Sequence, residues 1–183
     1  MSEPSGDITF LVRQKKEWGE ILTGFETKNR YTICDAAGRE LFYAAEESGV
    51  ILRLLLKSLR PFAVQILTAD GQVVCRVQRP FRFIFHKVDV YDGAGRLLGS
   101  VQKRWSWVRR IYSVLDATGQ EAYQLFGPML HPWTFEVRRD GREIGKITKR
   151  WTGFGKEMFT DADNFGMSVP ANTPIPHRTL LLG

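Results

Sequence analysis

The stretch from Gly145 to Pro170 carries the side chains best suited to chemistry. Asp161 and Asp163 are separated by one residue and followed by Asn164, and hard cations prefer carboxylate and amide oxygens as ligands. The same stretch also fits two β-strands and a connecting turn, in which Asp and Asn satisfy local backbone donors. A metal or lipid site and a plain pair of strands both remain open interpretations at this point.

Basic residues cluster beside tryptophans in the second half of the chain. Such pairs suit a membrane interface, where the indole ring lies at headgroup depth and cations meet phosphates. They also suit single-stranded nucleic acid, whose bases stack on aromatic rings, although we favour lipid. The third interpretation is a solvated outer surface with tryptophan in the core. The candidate lipid-binding residues are Lys103, Arg104, Arg109, Arg110, Lys146, Lys149, Arg150 and Trp151.

Enzyme signatures are lacking in this sequence. It has no GxxxxGK[ST] phosphate loop, no HExxH zinc motif and no GxGxxG that follows a strand. His131 lies between Leu130 and Pro132 in a predicted loop, where a structural role is favoured over catalysis. We therefore predict a binding protein and not an enzyme.

Length and composition indicate one folded domain over residues 1–183. The chain is 43% hydrophobic with a net charge of +6, which favours an anionic partner such as a phospholipid surface or nucleic acid. Cys34 and Cys75 lack metal-ligand spacing and are predicted to be buried strand residues.

Short turns rich in Asp and Gly punctuate the chain. Gly supplies the positive φ that such turns require, and Asp accepts hydrogen bonds from local backbone donors. The flanking segments alternate apolar and polar residues, as half-buried strands do. The turns predict five hairpins, and therefore ten strands. They fall at Asp35–Gly38, Ala69–Gly71, Asp92–Gly95, Asp116–Gly119 and Asp140–Gly141.

Further strands at Ile8–Arg13 and near Phe159 and Phe165 bring the total to about twelve. A twisted sheet of that size usually closes or splits, because closure removes exposed edges. The fold class is therefore all-β with one or two short helices. The clearest helical pattern is Glu46–Leu59, which could be a connector or an interfacial helix.

The sequence resembles the phospholipid scramblase family over residues 8–170. The resemblance implies a closed, roughly twelve-stranded Tubby-like barrel around a central hydrophobic C-terminal helix. It also implies ATP-independent, calcium-activated movement of phospholipids between leaflets, while relatives of the same fold bind membrane headgroups. The strings that carry it are Leu22-Thr-Gly-Phe-Glu-Thr27, Tyr43-Ala-Ala-Glu46, Arg60-Pro-Phe62, Gln78-Arg-Pro80, Gly145-Lys-Ile-Thr-Lys-Arg-Trp-Thr-Gly153 and Phe159-Thr-Asp-Ala-Asp-Asn-Phe-Gly166.

The same resemblance implies a calcium loop over residues 161–172, similar to an EF-hand. A bidentate carboxylate belongs at the last position of such a loop, where Asn172 stands instead, so any calcium site is expected to be weak. The alternative is a turn followed by a strand. The implied metal positions are Asp161, Asp163, Phe165, Met167 and Asn172.

Two departures from the family bear on membrane attachment. After Arg79-Pro80 the family carries a palmitoylated cysteine cluster, whereas this chain has none there. The central C-terminal helix is expected to be missing or truncated, with Thr179–Gly183 as its beginning. A barrel without it needs its lumen filled by lipid, a partner or side chains. The implied location is the cytoplasmic face of the plasma membrane, or the cytoplasm if that helix is absent.

Overall fold

The computed structural model describes residues 6–14, 30–47, 62–79, 87–131, 133–149 and 164–183. Twelve strands and one helix lie in these ranges. The strands are β1 Asp7–Gln14, β2 Arg30–Cys34, β3 Glu40–Glu47, β4 Phe62–Leu67, β5 Val73–Arg79, β6 Lys87–Asp92, β7 Leu97–Lys103, β8 Arg110–Asp116, β9 Glu121–Gly127, β10 Thr134–Arg139, β11 Arg142–Thr148 and β12 Phe165–Pro170, and the helix is α1 Ile175–Leu182.

The strands form a closed antiparallel barrel in which each strand pairs with its neighbours in the chain. β1 closes the ring against β12, with Asp7 opposite Pro170 and Val12 opposite Phe165. The predicted all-β class, closed barrel and strand number are confirmed. The predicted strand near Phe159 lies outside the described residues.

The Asp-Gly turns form the five predicted hairpins. In the first of them, Oδ1 of Asp35 accepts hydrogen bonds of 2.9 Å from the backbone N–H groups of Ala37 and Arg39. The hydrogen bond from Arg39 is the largest effect that holds the pKa of Asp35 below its usual value. Gly38 closes the turn with a φ of 81°, which glycine adopts without steric cost.

The barrel has two unlike ends. At one end, here called the turn end, the five short turns join paired strands, and Asp7 and Pro170 lie there as well. At the other, here called the loop end, the chain crosses between successive hairpins through longer connections, which include residues 104–109 between β7 and β8 and the described residues 128–131 and 133 between β9 and β10. Residues far apart in sequence therefore meet at the loop end.

Helix α1 enters the lumen from the turn end. Leu180 and Leu181 are buried in the barrel core, and the hydroxyl of Tyr123 lies 2.9 Å from Nδ1 of His177. A Cβ atom on Gly183 would lie 2.8 Å from a methyl group of Val77 and 3.1 Å from one of Val90, which places Gly183 against β5 and β6. A short C-terminal helix is thus present in the lumen, and it begins at Ile175, before the expected beginning at Thr179.

The predicted helix Glu46–Leu59 is wrong at its beginning. Glu46 and Glu47 belong to β3, where they pair with Val64 and Ala63 of β4. The pairing with β4 extends β3 through the first two positions of the predicted helix. The rest of that predicted helix lies outside the described residues.

Gly145 offers a direct test of the closing strands. A Cβ atom built on it would lie 2.2 Å from the backbone carbonyl oxygen of Ser168, so Gly145→Ala forces β11 and β12 apart. We expect a loss of roughly 1–3 kcal/mol of unfolding free energy, as overpacking typically costs. Urea denaturation measures it. Gly6→Ala is the control, since nothing lies within 4 Å of its Cβ position. Equal stabilities for both variants would contradict the described closure.

Candidate lipid interface

Five of the eight predicted lipid-binding residues lie at or next to the loop end. Lys103 ends β7 and Arg110 begins β8, while Arg104 and Arg109 lie in the connection between them. Lys149 directly follows β11 on a neighbouring part of the rim. Arg150 and Trp151 lie outside the described residues.

Two of these cations lie against aromatic rings at the barrel mouth. The guanidinium of Arg110 lies 4.7 Å from the ring centre of Phe135, and the ammonium of Lys149 lies 4.9 Å from the ring centre of Trp133. The backbone N–H of Lys149 also donates to the carbonyl of Trp133 at 2.9 Å. Cation–π contacts of this kind hold the two charges at the barrel mouth.

Arg109 belongs to a second stack on the outer wall. Its guanidinium lies 5.4 Å from the ring centre of Phe126, and that of Arg138 lies 3.9 Å from the same ring. Arg138 is neutralised by Glu136, with an ion pair of 2.6 Å. Arg109 is exposed at the rim, so it contributes a positive charge to the loop end.

Two other predicted residues have different surroundings. Arg104 reaches along the outer wall to Glu121, with 3.7 Å between its guanidinium and the carboxylate. Lys146 lies on the side of the barrel, in a cleft that it lines with Asp7 and Glu143. Arg109, Arg110 and Lys149 are therefore the predicted cations that best define a surface at the loop end.

Three of the tryptophans that flank the cations are exposed. Trp105 and Trp107 contact each other edge to face, with ring centres 5.6 Å apart, and project from the β7–β8 connection. Trp133 is also exposed, in the β9–β10 connection. The alternative that these tryptophans form part of the core is wrong, because the barrel lumen is filled by strand residues and α1.

Three exposed apolar residues were missed in the sequence. Val108 lies beside Trp107, and Met129 and Leu130 lie in the β9–β10 connection. Their positions in loops give no periodic pattern to detect. A usable signal was the apolar pair Met129-Leu130 between two prolines. Prolines indicate a loop, and apolar residues in a loop have no sheet face against which to pack.

Three of the five predicted calcium residues lie in the described part of the chain, along β12 and the turn that follows it. Phe165 begins β12, Met167 is buried in the core opposite Ile147, and Asn172 lies in the exposed turn beyond the strand. Extended strands rise about 3.3 Å per residue, so Phe165 and Asn172 lie at opposite ends of the barrel. Asp161 and Asp163 lie outside the described residues. A calcium hypothesis therefore depends on those two carboxylates.

In the described part of the chain, charge is distributed unevenly along the barrel axis. The turn end carries one aspartate in each short turn, and two of its arginines form ion pairs, Arg39 with Asp35 and Arg96 with Asp92, both at 2.7 Å. The loop end carries the cation cluster described above. The aspartates are Asp35, Asp70, Asp92, Asp116 and Asp140.

Among the described residues, no helix is both long and apolar enough to cross a bilayer. The same part of the chain contains no group of three or more His, Cys, Asp or Glu side chains arranged to hold a metal ion.

Comparison with known proteins agrees with this architecture. The X-ray structure of a protein from Arabidopsis thaliana superposes with a TM-score of 0.57 at 14% identity, covering 97% of this chain and 88% of that one. At that identity the likeness concerns the fold alone. It supports the Tubby-like barrel predicted from the sequence.

A family model described as Scramblase matches residues 7–183. The chain is 30% identical to phospholipid scramblase 1 of Mus musculus over 94% of its own length and 57% of the mouse protein. It is 28% identical to phospholipid scramblase family member 5 of Homo sapiens, of which the match covers 69%. The chain belongs to the scramblase family, and it spans less than two thirds of the mouse relative's length.

Proposed function

We propose that this protein binds the anionic surface of phospholipid membranes and moves phospholipids between leaflets, without ATP and without covalent chemistry. The observation that carries the proposal is that Arg109, Arg110 and Lys149 lie at the same barrel end as three exposed tryptophans, one of which, Trp133, contacts Lys149. Juxtamembrane cations of this kind are attracted to anionic lipid, and tryptophan favours headgroup depth. The names of its relatives as phospholipid scramblases support the same activity.

The cytoplasmic leaflet is the proposed surface, because its anionic lipids give it a negative potential. The alternative function is a peripheral module that binds headgroups and leaves lipid distribution unchanged. The same cation cluster supports both functions, so an assay of lipid movement must separate them. Nucleic acid is a less favoured partner and would require a higher affinity for DNA than for anionic vesicles at equal salt.

Calcium activation belongs to the proposal as a weak effect. Asp161 and Asp163 would supply the oxygen ligands, and Asn172 lacks the bidentate carboxylate of a tight loop. Removing both charges with Asp161→Asn and Asp163→Asn is expected to abolish any calcium response. Salt-sensitive vesicle binding, by contrast, is expected to persist, because the loop-end cations are unchanged.

Lipid movement is tested in vesicles that carry a fluorescent phospholipid bleached by dithionite from outside. With the full chain present, we expect the bleached fraction to exceed the outer-leaflet share, with no ATP and with calcium as a separate arm. Binding without extra bleaching, with and without calcium, would reject lipid movement and leave the peripheral function. An absence of binding would reject both.

A further inference from the structure

Exposed apolar side chains are concentrated in two connections at the loop end. Trp107 and Leu130 are each 89% exposed, and they are accompanied by Trp105, Val108, Met129 and Trp133. Elsewhere in the described residues the most exposed large apolar side chain is Ile175 at 71%. We name residues 104–109, 128–131 and 133 the apolar tips; the first range forms one tip, and the other residues form the second.

Hydrogen bonds within the tips and to the adjoining strands hold the apolar tips in place. The backbone N–H of Arg104 donates to the carbonyl of Ile111 at 2.8 Å, and the N–H of Arg109 donates to Oγ of Ser106 at 3.1 Å. In the second tip, the N–H of Thr134 donates to the carbonyl of His131 at 3.1 Å. Their exposure is thus a property of an ordered loop.

The two tips form one surface. Nη2 of Arg110, at the base of the first tip, lies 3.4 Å from the carbonyl oxygen of His131 in the second. Contiguous exposed apolar surface in a folded protein marks a site for a partner or a membrane. Lone exposed residues such as Ile175 require no such explanation.

The distribution of charge favours a membrane over a protein partner for this surface. The cations Arg109, Arg110 and Lys149 lie at the bases of the tips, where they would meet phosphates once the tips pass the headgroups. At the opposite end of the barrel, arginines offset part of the charge of the turn aspartates, so an anionic surface attracts the loop end more strongly than the turn end. Apolar tips with cations behind them are the arrangement of interfacial anchors.

We propose that the apolar tips insert into the boundary between headgroups and acyl chains of an anionic phospholipid membrane. The barrel then stands with its loop end on the lipid and its turn end in water. This inference rests on the proposed membrane binding, and it adds the face, the orientation and the inserting residues. It does not depend on lipid movement.

Insertion is tested with an environment-sensitive fluorophore on Leu130→Cys in the full chain, with Ala117→Cys at the turn end as the matched control. The native thiols of Cys34 and Cys75 are buried, and burial raises the pKa of Cys75 to about 12, so they label poorly. Wild-type protein taken through the same labelling reaction measures the fluorescence that comes from residual labelling of these two native cysteines. Vesicles contain phosphatidylcholine, phosphatidylserine and an acyl-chain spin-labelled lipid.

The expected result is a blue shift and quenching at position 130, with neither at position 117. Vesicle binding without quenching at 130 would overturn the inference and leave the proposed binding intact. Equal quenching at both positions, or no vesicle binding at all, would also overturn it. Burial of position 130 through self-association without lipid would assign the tips to contact between copies. Quenching at 130 without lipid movement would sustain insertion while rejecting the scrambling activity.

Truncating the tips supplies an independent measurement. Trp107→Ala with Leu130→Ala is expected to reduce vesicle partitioning at least about tenfold, because that factor corresponds to about 1.4 kcal/mol, less than the burial of one such side chain contributes. The reduction should persist at high salt, where screened charges contribute little. The control, Ile175→Ala with Leu97→Ala, removes exposed apolar residues from the turn end. Equal partitioning of both double variants would overturn the proposal.

Discussion

Leu180→Ala is expected to lower the free energy of unfolding by about 2–5 kcal/mol, the range for truncating a buried leucine. The side chain is 1% exposed inside the barrel. Its Cδ2 atom lies only 2.8 Å from the position that a Cβ atom on Gly99 would take. Because strands surround this site on all sides, the lumen cannot collapse to fill the cavity. Urea denaturation monitored by circular dichroism measures the loss.

Ile175→Ala is the matched control in the same helix. Its side chain is exposed, so we expect a change within about 0.5 kcal/mol. Comparing the two variants shows whether α1 stabilises the barrel by filling its lumen or only lies on its surface. If both variants unfold at the same urea concentration, α1 contributes no core packing and its described position is incorrect.

The strand arrangement follows from local chemistry that is visible in the sequence. Each Asp-Gly turn fixes a hairpin because only a few residue types satisfy its backbone donors and its positive φ. Counting those turns yields ten strands, and β1 and β12 complete the ring. Strand number was therefore predictable without knowledge of long-range contacts.

Strand ends were less predictable. The predicted helix began at Glu46, yet Glu46 and Glu47 lie in β3 opposite β4. Where a strand stops depends on the length of its partner, which is a property of the assembled sheet. Local propensity cannot supply that information.

The lipid interface was predictable by residue type but not by position. Lys146 and Lys149 are three residues apart, yet strand alternation puts Lys146 on the outer wall and Lys149 at the mouth beside Trp133. Arg104 is adjacent in sequence to the exposed Trp105, but its side chain reaches Glu121 on the wall. The tips became one surface only through the pairing of β8 with β9 and of β9 with β10.

Neutralising three loop-end cations is expected to weaken binding to anionic vesicles by about 100-fold. The variant is Arg109→Gln, Arg110→Gln and Lys149→Gln. Each cation near an anionic surface contributes about 1 kcal/mol, so three contribute about 3 kcal/mol. Co-sedimentation with phosphatidylserine vesicles measures the loss, and the salt dependence of the remaining binding should be shallower than that of wild type.

The matched control removes the same total charge from the turn end, through Arg39→Gln, Arg96→Gln and Arg142→Gln. Two of these arginines form exposed ion pairs with Asp35 and Asp92, and such pairs stabilise the fold little. A uniform attraction between a basic protein and an anionic surface would weaken both variants equally. The uneven axial distribution of charge instead predicts that the control keeps most of its affinity, because its cations face water when the loop end meets lipid. Equal losses would therefore reject the orientation, even if vesicle binding itself remained.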